Sequence, residues 1–150
     1  MMRGLWWLVL VIAMAGPAAL AQGAITDLGA ATRHWINTVR AAEARAPLAV
    51  SDVLTRAAES HARDLARTGR FSHVGRDGSS VGDRVRREGY GFCFVAENIA
   101  KGQGTPEEVL RGWMASPGHR RNLLDPRAAQ FGLVRGAGRL WVMVLGRDGC

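Results

Sequence analysis

Helical and strand-like patterns occupy separate parts of this chain, and that separation restricts the fold more than any other feature. From Ile25 to about Arg45, Leu28, Trp35, Ile36, Val39 and Ala42 recur at helix-compatible spacing, and Pro47 then stops the pattern. Ser51 opens a second helix running to about Thr68, with Gly69 placed where a terminating residue wants positive φ. Leu54, Ala58, His61, Ala62 and Leu65 form its apolar stripe, which predicts a buried His61. A loop, Gly75 to Ser80, precedes a short helix around Val81 to Glu88, and the apolar, glycine-broken stretch Tyr90 to Ile99 reads as strand or packed loop. Thr105-Pro106-Glu107-Glu108 starts another helix, with Thr as cap, Pro at the first position and Glu closing a capping box. That helix carries Val109, Leu110, Trp113 and Met114 and is expected to end at Ser116-Pro117-Gly118. Only then come β-rich runs, Gln130 to Arg135 and Arg139 to Gly146, hinged on Gly136-Ala137-Gly138. Helices first and a hairpin last predict an α+β domain, an antiparallel sheet covered by helices.

The N-terminus reads as a secretory signal peptide, residues 1–21: Arg3, an apolar run from Leu5 to Ala15, and a small-x-small site at Ala19-Leu20-Ala21. A retained anchor is the alternative, but the run is short for a membrane span, which takes about 20 residues. Residues 22–150 then form a single domain in the periplasm or outside the cell. In that oxidising setting Cys93 and Cys150 are expected to bridge; two free thiols, with Cys93 in the core, are the alternative. The net charge of +7 comes almost wholly from arginine, Lys101 being the single lysine. Because Arg33, Arg40, Arg56, Arg63, Arg67 and Arg84 are spaced singly, nucleic acid is not the expected partner, while an anionic envelope component is compatible. A monomer is expected.

Four histidines are present, and His34, beside the apolar stripe of the first helix, reads as ordinary. His73 sits in a loop just after a helix, where a side chain is exposed yet held. Glu97, among Phe92, Phe94, Val95 and Ile99, lies at the surface or needs partners, and a histidine is a natural one. His119 follows the Pro117-Gly118 turn and precedes Arg120, which suits an acidic group or an anionic ligand, and Asn122, which suits a bond to backbone. No His-Glu-x-x-His helix, Gly-x-Ser-x-Gly elbow, phosphate-binding glycine loop or EF-hand occurs. From these residues alone the reading stops at an exported α+β domain with a candidate histidine site.

Taken in order, the segments Trp35-Ile36-Asn37-x-x-Arg40, Pro47-Leu48, His61-Ala62, Phe71-Ser72-His73, Glu97-Asn98-Ile99-Ala100-x-Gly102 and Trp113-Met114-x-Ser116-Pro117-Gly118-His119-Arg120-x-Asn122-Leu123-Leu124 resemble the CAP superfamily. This superfamily comprises the cysteine-rich secretory, antigen 5 and pathogenesis-related proteins, and the likeness is to its bacterial secreted branch, with SCP-like domains. The resemblance implies an α-β-α sandwich with a cleft of two histidines and two glutamates, sometimes holding zinc or another divalent cation. His73 matches the first histidine and Glu97 the first glutamate. Ser116 stands where the second glutamate would fall, and no histidine occurs around Arg127 to Gln130, where the second would lie. His119, and less directly His61, are the candidates to complete a bacterial version.

The expected site therefore comprises His61, His73, Glu97, Asn98, His119 and Arg120 as ligand-binding residues, with His73 and His119 as metal ligands and His73, Glu97 and His119 as catalytic candidates. The function implied is capture of a small apolar ligand, a peptide or an envelope component. Its alternatives are a metal-dependent peptidase or esterase using the same cleft, and an envelope module acting through the basic surface.

Overall fold

The computed structural model describes residues 24–149. The expected signal peptide, 1–21, and Cys150 lie outside the described residues. Strand β1 (Thr26–Asp27) precedes helix α1 (Gly29–Ala42), β2 (Ala49–Val50), α2 (Asp52–Thr68) and α3 (Val81–Arg87). Strand β3 (Phe92–Lys101) is followed by α4 (Pro106–Ala115), α5 (Pro117–Leu123), β4 (Gln130–Gly136) and β5 (Leu140–Asp148). The sheet runs β1-β4-β5-β3; β2 joins β4 in parallel and the other pairings are antiparallel.

Helices cover both faces of this sheet, so the domain is the α-β-α sandwich. Strand β5 shows why: Leu140 to Gly146 are all buried, as expected of a strand with no solvent face. Trp141, Met143 and Leu145 pack under α1, α4 and α5, in a cluster with Ile36, Leu110 and Trp113. Val142 and Val144, one residue out of phase, pack under α2 and α3 with Leu54, Ala58 and Val85. Helix α2 approaches β4 closely because Gly132 has no side chain; a Cβ there would stand 2.3 Å from the Thr55 nitrogen.

The caps read from the sequence are present. Ser51 Oγ accepts from the Leu54 amide, and Gly69 closes α2 at φ 68°. Thr105 Oγ1 accepts from the Glu108 amide, but Glu108 reaches past the cap to the Gly104 N–H, so the box is displaced by one residue. Two expectations are corrected. Thr26 and Asp27 extend the sheet beside Arg135 and Val134 instead of beginning α1, whose start is set by Asp27 accepting from the Gly29 amide. Ser116-Pro117-Gly118 is a junction, not a stop, because Pro117 is preorganised for the first turn of a new helix.

The β3–β5 register shifts between Phe92 and Phe94, leaving Cys93 on a bulge. The Gly149 amide donates to the Gly91 carbonyl, two residues before Cys93.

Candidate functional site

Strand β3 is an edge of the sheet, and the candidate site is built on two of its consecutive residues. Glu97 and Asn98 leave the strand on opposite faces. Glu97 shares the face of Val95 and Ile99, under α2 and α3; Asn98 shares that of Phe94, Ala96 and Ala100, under α4 and α5. Each holds one histidine.

On the first face, Glu97 Oε1 accepts from His73 Nδ1 at 2.8 Å and Oε2 from Arg84 Nη2 at 2.7 Å. Arg84 also donates from Nη1 to the Ser79 carbonyl and from Nη2 to the His73 carbonyl. One buried guanidinium thus fixes both the carboxylate and the loop that carries the histidine. The Glu97 and Arg84 side chains are 2% and 4% exposed, whereas that of His73 is 56% exposed, so the imidazole is the member that meets solvent. An ionised carboxylate only accepts, which puts a proton on His73 Nδ1 and, in the neutral ring, leaves Nε2 as an acceptor at the surface.

His61 lies wholly beneath. Its Nε2 is 3.6 Å from Glu97 Oε1, too long for a hydrogen bond, and donates instead to the Ser72 carbonyl at 2.9 Å. Burial pushes its pKa below the ordinary histidine value, with Glu97 opposing. The ring is neutral and forms the floor, as the apolar stripe of α2 implied.

On the second face, Asn98 Nδ2 donates to the His119 carbonyl at 3.1 Å and Asn98 Oδ1 accepts from Asn122 at 2.8 Å. Asn122 also donates to the Glu97 carbonyl, and Trp113 Nε1 to that of Ile99. These bonds use edge carbonyls of β3 that would otherwise invite another strand. His119 Nδ1 lies 2.9 Å from Ser116 Oγ. The serine standing at the second glutamate's position therefore braces a histidine after all, by a neutral bond. The His119 pKa is lowered, by burial first and by the His73 charge second.

Not every expected site residue stands in the cleft. Asn98 is fully buried with both polar ends committed, so it positions His119 and does not reach a ligand. Arg120 pairs with Glu43, the residue that closes α1. Arg84, one of the singly spaced arginines, is the anchor of the site; its spacing of three from Val81 and one before Val85 puts it on the buried face of α3, the available signal. Phe71 and Val74 are the large apolar side chains exposed among the described residues, and they flank His73.

A divalent cation does not fit this donor set as a resident group. Among the described residues no group of three or more His, Cys, Asp or Glu side chains is placed to hold a metal. Both Glu97 oxygens are bonded already and His61 is turned to Ser72, so two imidazoles remain where zinc sites use three or four protein ligands.

The model of the family described as CAP, cysteine-rich secretory protein family, matches residues 34–140. An uncharacterized protein of Bacillus subtilis, YkwD, is 35% identical over 97 residues, covering 65% of this chain and 38% of its own length. An uncharacterized membrane protein of the same organism, YlbC, is 29% identical over 97 residues, 65% of this chain and 28% of that one. The chain thus spans under two fifths of these relatives. Among solved structures, an extracellular SCP-domain protein of Bacillus anthracis superposes with a TM-score of 0.74 at 27% identity, covering 79% of this chain and 40% of that one. An outer surface protein of Borrelia burgdorferi gives the same TM-score at 19% identity over 85% of this chain and 99% of its own, a likeness of fold. No helix among the described residues is long and apolar enough to cross a membrane.

Proposed function

The chain belongs to the cysteine-rich secretory protein family, and on that premise we propose that it is an extracytoplasmic binding module that captures an amphipathic ligand at His73. The observation that carries this reading is the exposed His73 imidazole, braced from below by the buried Glu97–Arg84 pair and flanked by exposed Phe71 and Val74. A bare Nε2 accepts a hydrogen bond from a ligand hydroxyl or amide, His119 offers a second polar contact, and the two apolar side chains cover an acyl or other apolar body. The extracellular and outer-surface neighbours support export.

Titration with a fluorescent monoacylglycerol tests the reading. Binding should be saturable, and His73→Ala and Phe71→Ser should each weaken it by about tenfold or more, the scale of one lost hydrogen bond or one uncovered ring. Absence of saturable binding, or indifference to both substitutions, overturns it. Salt-sensitive retention on anionic vesicles that survives both substitutions would instead favour the basic surface.

A second reading, hydrolysis of a peptide or ester, is favoured by one observation: a histidine with Nδ1 held by a buried carboxylate is the arrangement of a general base. Turnover of ester or peptide substrates that disappears in His73→Ala would establish it. The zinc expected from the family is tested by metal titration of the same variant. The Cys93–Cys150 bridge is supported by the hydrogen bond from Gly149 to Gly91, and an intact mass two hydrogens below that of the dithiol is its expected signature.

A further inference from the structure

We infer that the loop from Arg70 to Arg76 docks on an anionic phospholipid bilayer, Phe71 and Val74 entering its interfacial layer while Arg70 and Arg76 meet lipid phosphates. Phe71 and Val74 are 51% and 52% exposed and are the large apolar side chains left in water among the described residues. A single exposed apolar residue needs no explanation, but two within four residues of one loop make a patch. The loop is not free to turn them inward, because its backbone is bonded to the fold. The Ser72 carbonyl accepts from His61 and the His73 carbonyl from Arg84, while the Gly75 and Arg76 amides donate to the Ser79 carbonyl and the Asp64 carboxylate. The Val74 amide donates to Ser72 Oγ. These bonds suit the loop to a membrane, since backbone groups that already have partners lose little on leaving water.

The charge beside the patch is positive and uncompensated. The carboxylates nearest in sequence, Asp64 and Asp77, are held by Arg67 and Arg87, and Glu59, Asp83 and Glu88 are likewise paired with arginines. Asp52 stands at the opposite end of α2, about 25 Å along the helix. Arg70 and Arg76 are exposed and make no ion pair among the described residues, so the patch is rimmed by two cations in need of an anion.

Apolar and cationic groups on one loop favour a bilayer over other anionic surfaces. A soluble polyanion would use the arginines and leave Phe71 and Val74 in water. A protein partner of ordinary size buries roughly 800 Å² on each side, of which two half-exposed side chains offer a small part. A bilayer surface supplies phosphates above an apolar layer within about 5–10 Å of depth. Docking shares its apolar side chains with the proposed ligand capture but makes no use of the His73 imidazole, so the two stand or fall separately.

Co-sedimentation of protein recovered after export decides the matter, with vesicles of phosphatidylglycerol mixed into phosphatidylcholine against phosphatidylcholine alone. The mixed vesicles should bind in low salt with a constant of about 10⁴ M⁻¹, the scale of one acyl anchor, and binding should weaken about tenfold or more without the anionic lipid. Phe71→Ser should weaken it about tenfold and Val74→Ser about fivefold. Arg70→Gln and Arg76→Gln should each cost about fivefold. All four positions are exposed, so the thermal midpoint should stay close to that of the parent. Arg33→Gln and Arg111→Gln, which remove the same charge from α1 and α4, should leave binding unchanged. In Phe71→Trp the added emission should be quenched by lipids brominated on their acyl chains, which requires the side chain to reach that layer. Lack of retention on the mixed vesicles, or equal retention on phosphatidylcholine alone, overturns the proposal. So do equal losses in the Arg33 and Arg111 variants, indifference to Phe71→Ser and Val74→Ser, or an added emission that brominated lipid leaves intact. These vesicles contain no monoacylglycerol, so failure here leaves the capture titration standing, and failure of that titration leaves docking standing.

Discussion

Replacing Arg84 by Met removes the buried guanidinium that pairs with Glu97. The guanidinium and carboxylate are 4% and 2% exposed, and Arg84 gives up bonds to Glu97, Ser79 and His73 together. Removing one partner of a buried pair costs about 3–5 kcal/mol, mostly because the other charge stays buried and unpaired. A domain of this size loses roughly 3–4 °C per kcal/mol, so the midpoint should fall by about 10–20 °C. Urea titration followed by circular dichroism, with the slope checked for constancy, measures the loss directly. The stronger part of the test is the double variant Arg84→Met/Glu97→Leu. If the penalty is the orphaned carboxylate, deleting it should restore at least about 2 kcal/mol, a coupling well outside additivity. A loss below about 1 kcal/mol for Arg84→Met, or additive single effects, would refute the assignment of the pair as the foundation of the site.

Two titrations probe other parts of the fold. His61 and His119 have pKa values lowered from 6.5 chiefly by burial, so on acidification the unfolded chain takes up protons first. Stability should therefore be flat above the unfolded value of about 6.5 and decline below it, and a urea midpoint unchanged on acidification would count against both burials. Tyr90, the single tyrosine, packs against Gly146 with its hydroxyl bonded to Gln130, and burial raises its pKa to about 12. Alkaline absorbance titration should show one phenolate transition at about 12, and a transition near the ordinary 10 would mean the ring is exposed.

How much of this was legible in the sequence depended on the range of the interactions involved. Caps and stripes are local, so Ser51, Gly69, Thr105 and the burial of His61 followed from spacing. The hairpin of β4 and β5 followed from its glycines and β-branched runs. Helix α5 was hidden because Pro117 reads equally as a breaker and as a first-turn residue. The site divided in the same way. His73, Glu97 and His119 stood in segments that resemble a family, but Arg84 reaches Glu97 across 13 residues of chain; its place beside Val81 and Val85 on a short helix signals a buried face, not the partner it meets there. The partners of Asn98 and Arg120, the His119 carbonyl and Glu43, were out of reach of local patterns for the same reason, since they lie 21 and 77 residues away.

The alternation of Glu97 and Asn98 on an edge strand suggests a last experiment that composition cannot anticipate. Exchanging the two, Glu97→Asn with Asn98→Glu, leaves the net charge and the residue content unchanged. It turns a carboxylate toward the His119 carbonyl, a second acceptor, at a position that is fully buried. It also leaves the Arg84 guanidinium without an anion. Each uncompensated buried charge costs about 3–5 kcal/mol, and a domain has about 5–15 kcal/mol in total. The exchanged chain should therefore be unfolded or molten at room temperature, which the loss of amide dispersion in a proton–nitrogen spectrum would show. Should it instead fold within about 1 kcal/mol of the parent, these two positions tolerate either residue, and the strand's alternation is not what brings the two histidines together.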